Sequence, residues 1–178
     1  MKKIVGFLLY STLFFALLIF FLPKENLYYE GEKFIKPYNV IISDEEIQDR
    51  GFSLNLSHAD IYAMDGIKLA NIKELEIMIL GLYNSINIEN INLMATASSF
   101  VPTHIDFIRI RYSVLNPLKV TATAMGDFGE AKAEINLQER LVQVFVTPSK
   151  LMKTRFKNSM KILKKSEGGI YLYEYRIK

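Results

Sequence analysis

The chain has 178 residues, 50% of them hydrophobic, a formal net charge of +3 and no cysteine. The missing thiols exclude a disulfide framework and a thiolate metal site, while permitting an oxidising compartment. With Lys2 and Lys3 set aside the remainder carries only +1, so general electrostatics give no support to nucleic-acid binding.

Directly after Lys2-Lys3, the nineteen residues Ile4 to Leu22 hold no charge, Pro or Asn. At ~1.5 Å rise per residue this run is ~28 Å long as a helix, close to the ~30 Å hydrocarbon core of a bilayer. Pro23 stops the helix, and Lys24, Tyr28 and Tyr29 supply headgroup-level charge and aromatics. A cleaved signal peptide is the rival reading. The exit Phe20-Phe21-Leu22-Pro23-Lys24-Glu25 offers no small-x-small cleavage site, so a retained single-pass anchor is preferred. The basic residues touching the run favour a cytoplasmic N-terminus, with everything after Pro23 exported. In a Gram-negative bacterium that compartment is the periplasm. Residues 1–23 therefore read as a signal-anchor, 24–38 as a juxtamembrane segment mixing charges and aromatics, and 39–178 as one exported β-rich domain.

From Asn39 the period changes to two. Val40, Ile41 and Ile42 predict a short strand, and Ser43-Asp44-Glu45-Glu46-Ile47 an N-cap and acidic first turn of a short helix that Gly51 ends. Phe52, Leu54 and Leu56 alternate with Ser53, Asn55 and Ser57 in a half-buried strand. The phase shifts near Ala59, since Ile61 has the opposite parity, which predicts a bulge or bend. Asp65-Gly66 is a hairpin turn, and Ile67, Leu69 and Asn71 open the next strand. Leu75, Ile77 and Ile79 mark a further strand, and Tyr83-Asn84-Ser85 a turn into Ile86, Ile88, Ile91 and Leu93. Ala95–Thr103 reads as a loop. Strands follow at Ile105–Leu115, Leu118–Met125, Ala131–Leu137 and Leu141–Val146, with turns at Asn116-Pro117 and Gly126-Asp127-Phe128-Gly129. Thr147-Pro148 predicts the start of an amphipathic helix carrying Met152, Phe156, Met160 and Leu163 on one face and closed by Gly168-Gly169. A last strand, Ile170 to Ile177, puts Tyr171, Tyr173 and Tyr175 on one side. The fold expected is mainly β: a transmembrane helix, then a long curved antiparallel meander with one C-terminal amphipathic helix before the last strand.

No catalytic constellation is visible. His58-x-Asp60 lies within a strand, where the two side chains share a face about 7 Å apart by strand rise. His104-x-Asp106 repeats the spacing. The two pairs could meet at a metal only if their strands were neighbours, and neither a metal nor a cofactor is assigned. Ser98-Ser99 lacks a nucleophile elbow, and P-loop and Rossmann glycine patterns are absent. Asp44-Glu45-Glu46 is explained as a helix start rather than a cation site. The one charged feature with a direction is the basic C-terminal helix. Lys150, Lys153, Lys157 and Lys161 could meet anionic headgroups or an acidic partner, while the plainer reading is a sheet cap with solvated lysines.

The order of these features resembles the type II secretion system protein N (GspN) family, and through it the anchored envelope proteins with AsmA-like or LptC-like curved sheets. Leu22-Pro23, the Gly51–Leu56 strand and the ending Gly168–Tyr175 carry the resemblance. It implies a non-enzymatic inner-membrane component whose periplasmic domain acts as a scaffold in a secretion or envelope system, together with other subunits. The AsmA- and LptC-like relatives imply an alternative, a curved sheet offering an apolar trough to a phospholipid acyl chain. Under the first reading Phe52, Leu54, Leu56, Leu75, Ile77 and Ile79 pack against the protein or a partner. Under the second some of them line an open groove. A membrane-anchored hydrolase would need His58 or His104 to meet a nucleophile.

Overall fold

A computed structural model describes residues 2–63, 65–94 and 101–177. The chain begins with α1 (Lys2–Phe20), none of whose side chains is buried and which is long and apolar enough to cross a membrane. After Pro23 comes a second helix, α2 (Lys24–Ile35), in the juxtamembrane segment to which the sequence assigned no element. Lys24 makes the junction. Its fully buried ammonium donates to the carbonyls of Phe20 (3.2 Å) and Leu22 (3.1 Å) and lies 3.4 Å from Asp49. Carbonyls at the end of α1 that have no partner in the helix are thereby satisfied, and the helix end is tied to the sheet.

The remaining described residues form one open antiparallel sheet of eleven strands with its turns and short helices. They are β1 (Val40–Ser43), β2 (Glu46–Asp49), β3 (Ser53–Ala63), β4 (Lys68–Ile79), β5 (Tyr83–Leu93) and β6 (His104–Ser113). Then follow β7 (Lys119–Gly126), β8 (Gly129–Asn136), β9 (Leu141–Pro148), β10 (Lys164–Lys165) and β11 (Tyr171–Arg176). The order β1-β3-β4-β5-β6-β7-β8-β9-β11-β10 is the expected meander, with β2 also paired to β3. One short helix, α3 (Lys150–Arg155), precedes the last two strands.

Several local expectations give way to pairing. Ser43–Ile47 is not a helix: Asp44 turns the chain with φ +65° and Glu46–Asp49 becomes β2. Extended, Ile47 sits opposite Leu56 and packs on the core, a burial that one helical turn before Gly51 would not supply. Lys68–Ile79 is a single strand rather than two, and Tyr83-Asn84-Ser85 opens β5, the turn lying earlier at residues 80–82. The C-terminal helix is shorter and starts later. β9 runs through Pro148, and Ser149 Oγ, not Thr147, caps α3 by accepting from the Met152 N–H at 3.2 Å. A 3-10 turn at Ser159–Ile162 replaces its second half, Leu163 is extended, and Gly168-Gly169 belong to a further 3-10 turn rather than a helix end. Met152, Phe156 and Met160 still bury together, against Phe128 and Tyr171. The loop expected at Ala95–Thr103 falls largely outside the described residues.

The phase shift foreseen near Ala59 proves to be part of a larger feature. On β3 the inward residues are Leu54, Leu56, Ala59 and Ile61; on β4, Ala70, Ile72, Leu75 and Ile77; on β5, Ile86, Ile88, Ile91 and Leu93. Each strand reads i, i+2, i+5, i+7, so each changes parity once. The changes align across the sheet at His58, Lys73, Asn90 and Asp106, where the pairing skips a residue on both strands and the register is kept. His58 (φ +59°) and Asn90 (φ +53°) take the left-handed conformation that re-aims the chain. β7 contributes no matching residue, so the seam ends there as a bulge between Ile105 and Phe107. Gly126 makes room for it: a Cβ at that position would lie 2.7 Å from the His104 carbonyl oxygen and the Ile105 Cα.

Candidate functional site

Residues directly opposite one another in an antiparallel pair point to the same face, so the registers can be followed across the sheet. One row reads Leu54, Ile77, Ile86, Ile110, Ala122, Ala133, Val144, Tyr173. Two residues along, the next reads Leu56, Leu75, Ile88, Ile108, Ala124, Ala131, Val146, Tyr171. Every rung is apolar across eight strands, a length of about 34 Å at the ~4.8 Å spacing of strands. The row between them, on the other face, is Asn55, Glu76, Asn87, Arg109, Thr123 and Lys132 before it reaches Phe145. There Asn87 donates to Glu76 (3.3 Å) and accepts from Arg109 Nε (3.0 Å). The sheet has one wet and one dry face.

Cover over the dry face is uneven. At the β1–β3 end α2 lies on it, and Tyr28 joins Leu54, Leu56, Ala59, Ala70, Ile72, Leu75 and Ile91 in the buried cluster. Burial beside Glu45 and Glu32 pushes the Tyr28 phenol above the usual tyrosine range, and its hydroxyl reaches Glu32 at 3.1 Å and Glu45 at 3.4 Å. Packing under α2 is incomplete. A cavity of about 280 Å³ is lined by Leu27, Tyr28, Gly31 and Ile35 of the helix and by Ile42, Leu54, Ile77 and Ile79 of the sheet, with Lys24 and Glu32 as its charged members. Beyond β5 the rungs are only half-buried. At the far end Tyr171 meets the segment after β9, where Lys153, Lys157, Lys161 and Met160 surround a shallow hollow with it.

Of the residues expected to form the apolar face, Leu54, Leu56 and Leu75 are buried in the core and Leu54, Ile77 and Ile79 line the cavity. Phe52 stands apart: it lies in the turn before β3, is 40% exposed and meets the Phe20 ring edge-on at 5.4 Å. Lys150, Lys153, Lys157 and Lys161 are all exposed, at the rim of the sheet opposite to the end of α1. The second half of the dry face went unread in the sequence. Its signal is Val120-Thr-Ala-Thr-Ala124 and Ala131-Lys-Ala-Glu-Ile135, alternation carried by small residues.

The histidine pairs lie on β3 and β6, with two strands between them. His58 is exposed, while Asp60 is buried and directed elsewhere: it accepts from Lys68 Nζ, from Asn71 Nδ2 at 2.6 Å and from Tyr62 at 3.4 Å. The regular strand spacing that would set His58 and Asp60 on one face is broken at His58, and Asp60 instead forms a cluster with Lys68 and Asn71. His104 is held between Asn92 (2.9 Å) and Asp106 (3.2 Å). Among the described residues no group of three His, Asp or Glu side chains is arranged to hold a metal.

Burial on its own would raise the Asp60 pKa, but the hydrogen bonds from Lys68, Asn71 and Tyr62 outweigh it and hold the carboxyl below the usual carboxylate range. A depressed folded-state pKa gives stability that is present above the unfolded value of about 4 and is lost as pH falls through the folded value. The urea midpoint of Asp60→Asn should therefore lie below that of the parent at pH 7, and the gap should close as pH is lowered below about 4. Comparison with known protein families, curated proteins and solved structures finds no match to this chain.

Proposed function

We propose that the protein is a non-enzymatic, single-pass membrane protein whose exported sheet holds the acyl part of an anionic lipid along the dry face. The observation that carries this reading is the pair of unbroken apolar rows, which leave their central rungs half-buried between α2 and the α3 segment. Hydrocarbon is the occupant such a surface stabilises, at roughly 25 cal/mol per Å² of apolar area removed from water. The cavity under α2 adjoins the point where the anchor leaves the bilayer, and the lysines beside Tyr171 offer a counter-charge to a headgroup at the far end. In this reading α1 spans a bacterial inner membrane with its N-terminus in the cytoplasm, and the sheet stands in the periplasm.

A second reading, a scaffold subunit of a type II secretion-like or envelope assembly, is favoured by the edges of the sheet. β1 and β10 end the strand order, and each could be extended by a partner's strand. Native mass spectrometry of the full chain in mild detergent separates the two. The lipid reading expects bound phospholipid, and expects Ala124→Glu and Ala133→Glu, which place a carboxylate on the rows, to cut retention by at least ~10-fold while the β circular dichroism signal persists. Lipid retained equally by both variants would overturn it.

A further inference from the structure

We infer that the rim of turns beside α1 is itself a membrane-inserting surface, dipping into the outer leaflet of the bilayer that α1 crosses. This rests on the anchor assignment but not on the lipid-carrying role. In a meander alternate turns lie at the same end, and the end where α1 arrives carries the β2–β3, β4–β5, β6–β7 and β8–β9 turns. The first three present large apolar side chains to solvent: Phe52, Leu80 and Leu82, then Val114, Leu115 and Leu118. Leu82 is 72% exposed and Leu115 96%. Hydrogen bonds tie these turns into one row, from the Ile79 N–H to the Phe52 carbonyl and from the Val114 N–H to the Leu82 carbonyl, each 2.9 Å.

The chemistry is graded with distance from the anchor. The β8–β9 turn, farthest along the rim, keeps only Leu137 and continues as Gln138-Glu139-Arg140. At the opposite rim the exposed apolar side chains, Ile67 at 45% and Ile162 at 71%, stand singly among Asp65-Gly66, Asp127 and the exposed lysines of α3. A soluble domain gains nothing from an exposed apolar row of this kind; a bilayer surface does.

Depth is set by α1. Its residues Thr12, Phe15, Ala16 and Ile19 face Phe52, Leu80 and Leu82 across an apolar hollow of about 510 Å³. By helical rise Thr12 is about 12 Å back from the end of the helix, so the Leu80–Leu82 turn lies level with its last turns. If those turns of α1 are surrounded by acyl chains, the same acyl chains fill the hollow and meet the β4–β5 turn.

The chain contains no cysteine, so single cysteines can be placed at will. Full-length protein in phosphatidylcholine–phosphatidylglycerol vesicles would carry a bimane label at Leu82→Cys, Leu115→Cys, Asp65→Cys or Leu13→Cys. Nitroxides on the lipid acyl chains and aqueous iodide serve as the two quenchers. The expected result is that labels at 82 and 115 lose fluorescence to the nitroxide lipid, as the Leu13 position does, and are shielded from iodide, while the Asp65 position shows the reverse. Iodide quenching at 82 and 115 equal to that at 65 would overturn the inference, as would shielding from both quenchers, which marks a protein contact. A Leu13 label untouched by nitroxide would overturn the anchor assignment as well, so the two failures are distinguishable.

Discussion

Leu54→Ala should lower the unfolding free energy by about 2–5 kcal/mol, the range for deleting a buried leucine side chain. Leu54 is 1% exposed, opposite Ile77, and forms part of the wall of the cavity under α2. How far the neighbours close into the new space sets where in that range the loss falls. Urea denaturation in mild detergent is the measurement. Ile162→Ala, at a position 71% exposed, is the control and should move the midpoint by no more than ~0.5 kcal/mol equivalent. Equal losses at both positions would mean that the α2–sheet interface is not the centre of stability.

Gly129→Ala should cost about 1–3 kcal/mol through backbone strain, with the contacts of the new Cβ adding to it. Gly129 closes the two-residue turn between β7 and β8 with φ +111°, paired to Gly126 on one side and Pro148 on the other. A Cβ there would sit 2.2 Å from the Thr147 carbonyl oxygen and 2.7 Å from the Ser149 nitrogen, both main-chain atoms with no freedom to swing aside. The strain should fall on β9 and on the start of α3, so amide exchange at Val146–Met152 should rise before exchange in β3–β5 does. Uniform loss of protection across the sheet would contradict this localisation.

Period and turn chemistry made the meander legible. Asp65-Gly66, Asn116-Pro117 and the Asp127-Phe128 pair flanked by glycines appear where the turn residues pointed, and the alternation of Leu54 with Asn55 and Leu75 with Glu76 set the faces. What the sequence hid has physical causes. Ile47 could satisfy a local capping signal or pair with β3, and only the sheet decides between them. The Leu80-Gly81-Leu82 turn is apolar where turns are normally polar, so parity alone carries it into a strand. The seam through His58, Lys73, Asn90 and Asp106 is visible as a repeated i, i+2, i+5, i+7 spacing, but only when three strands are read together. Alanine and valine on β7–β9 carry a weak hydrophobic signal, though their summed face is as continuous as that of the leucines.

The most direct test of an acyl-binding face is to let the acyl chain report its own position. Full-length protein in membranes containing a phospholipid with a diazirine at the end of one acyl chain would be irradiated, digested and mapped by mass spectrometry. Adducts should appear on dry-face residues well beyond the anchor, such as Ile110, Ala122, Ala133 and Val144, and be absent from the wet-face row at Glu76, Arg109 and Lys132. Adducts confined to α1 would leave the dry face without lipid and contradict the account.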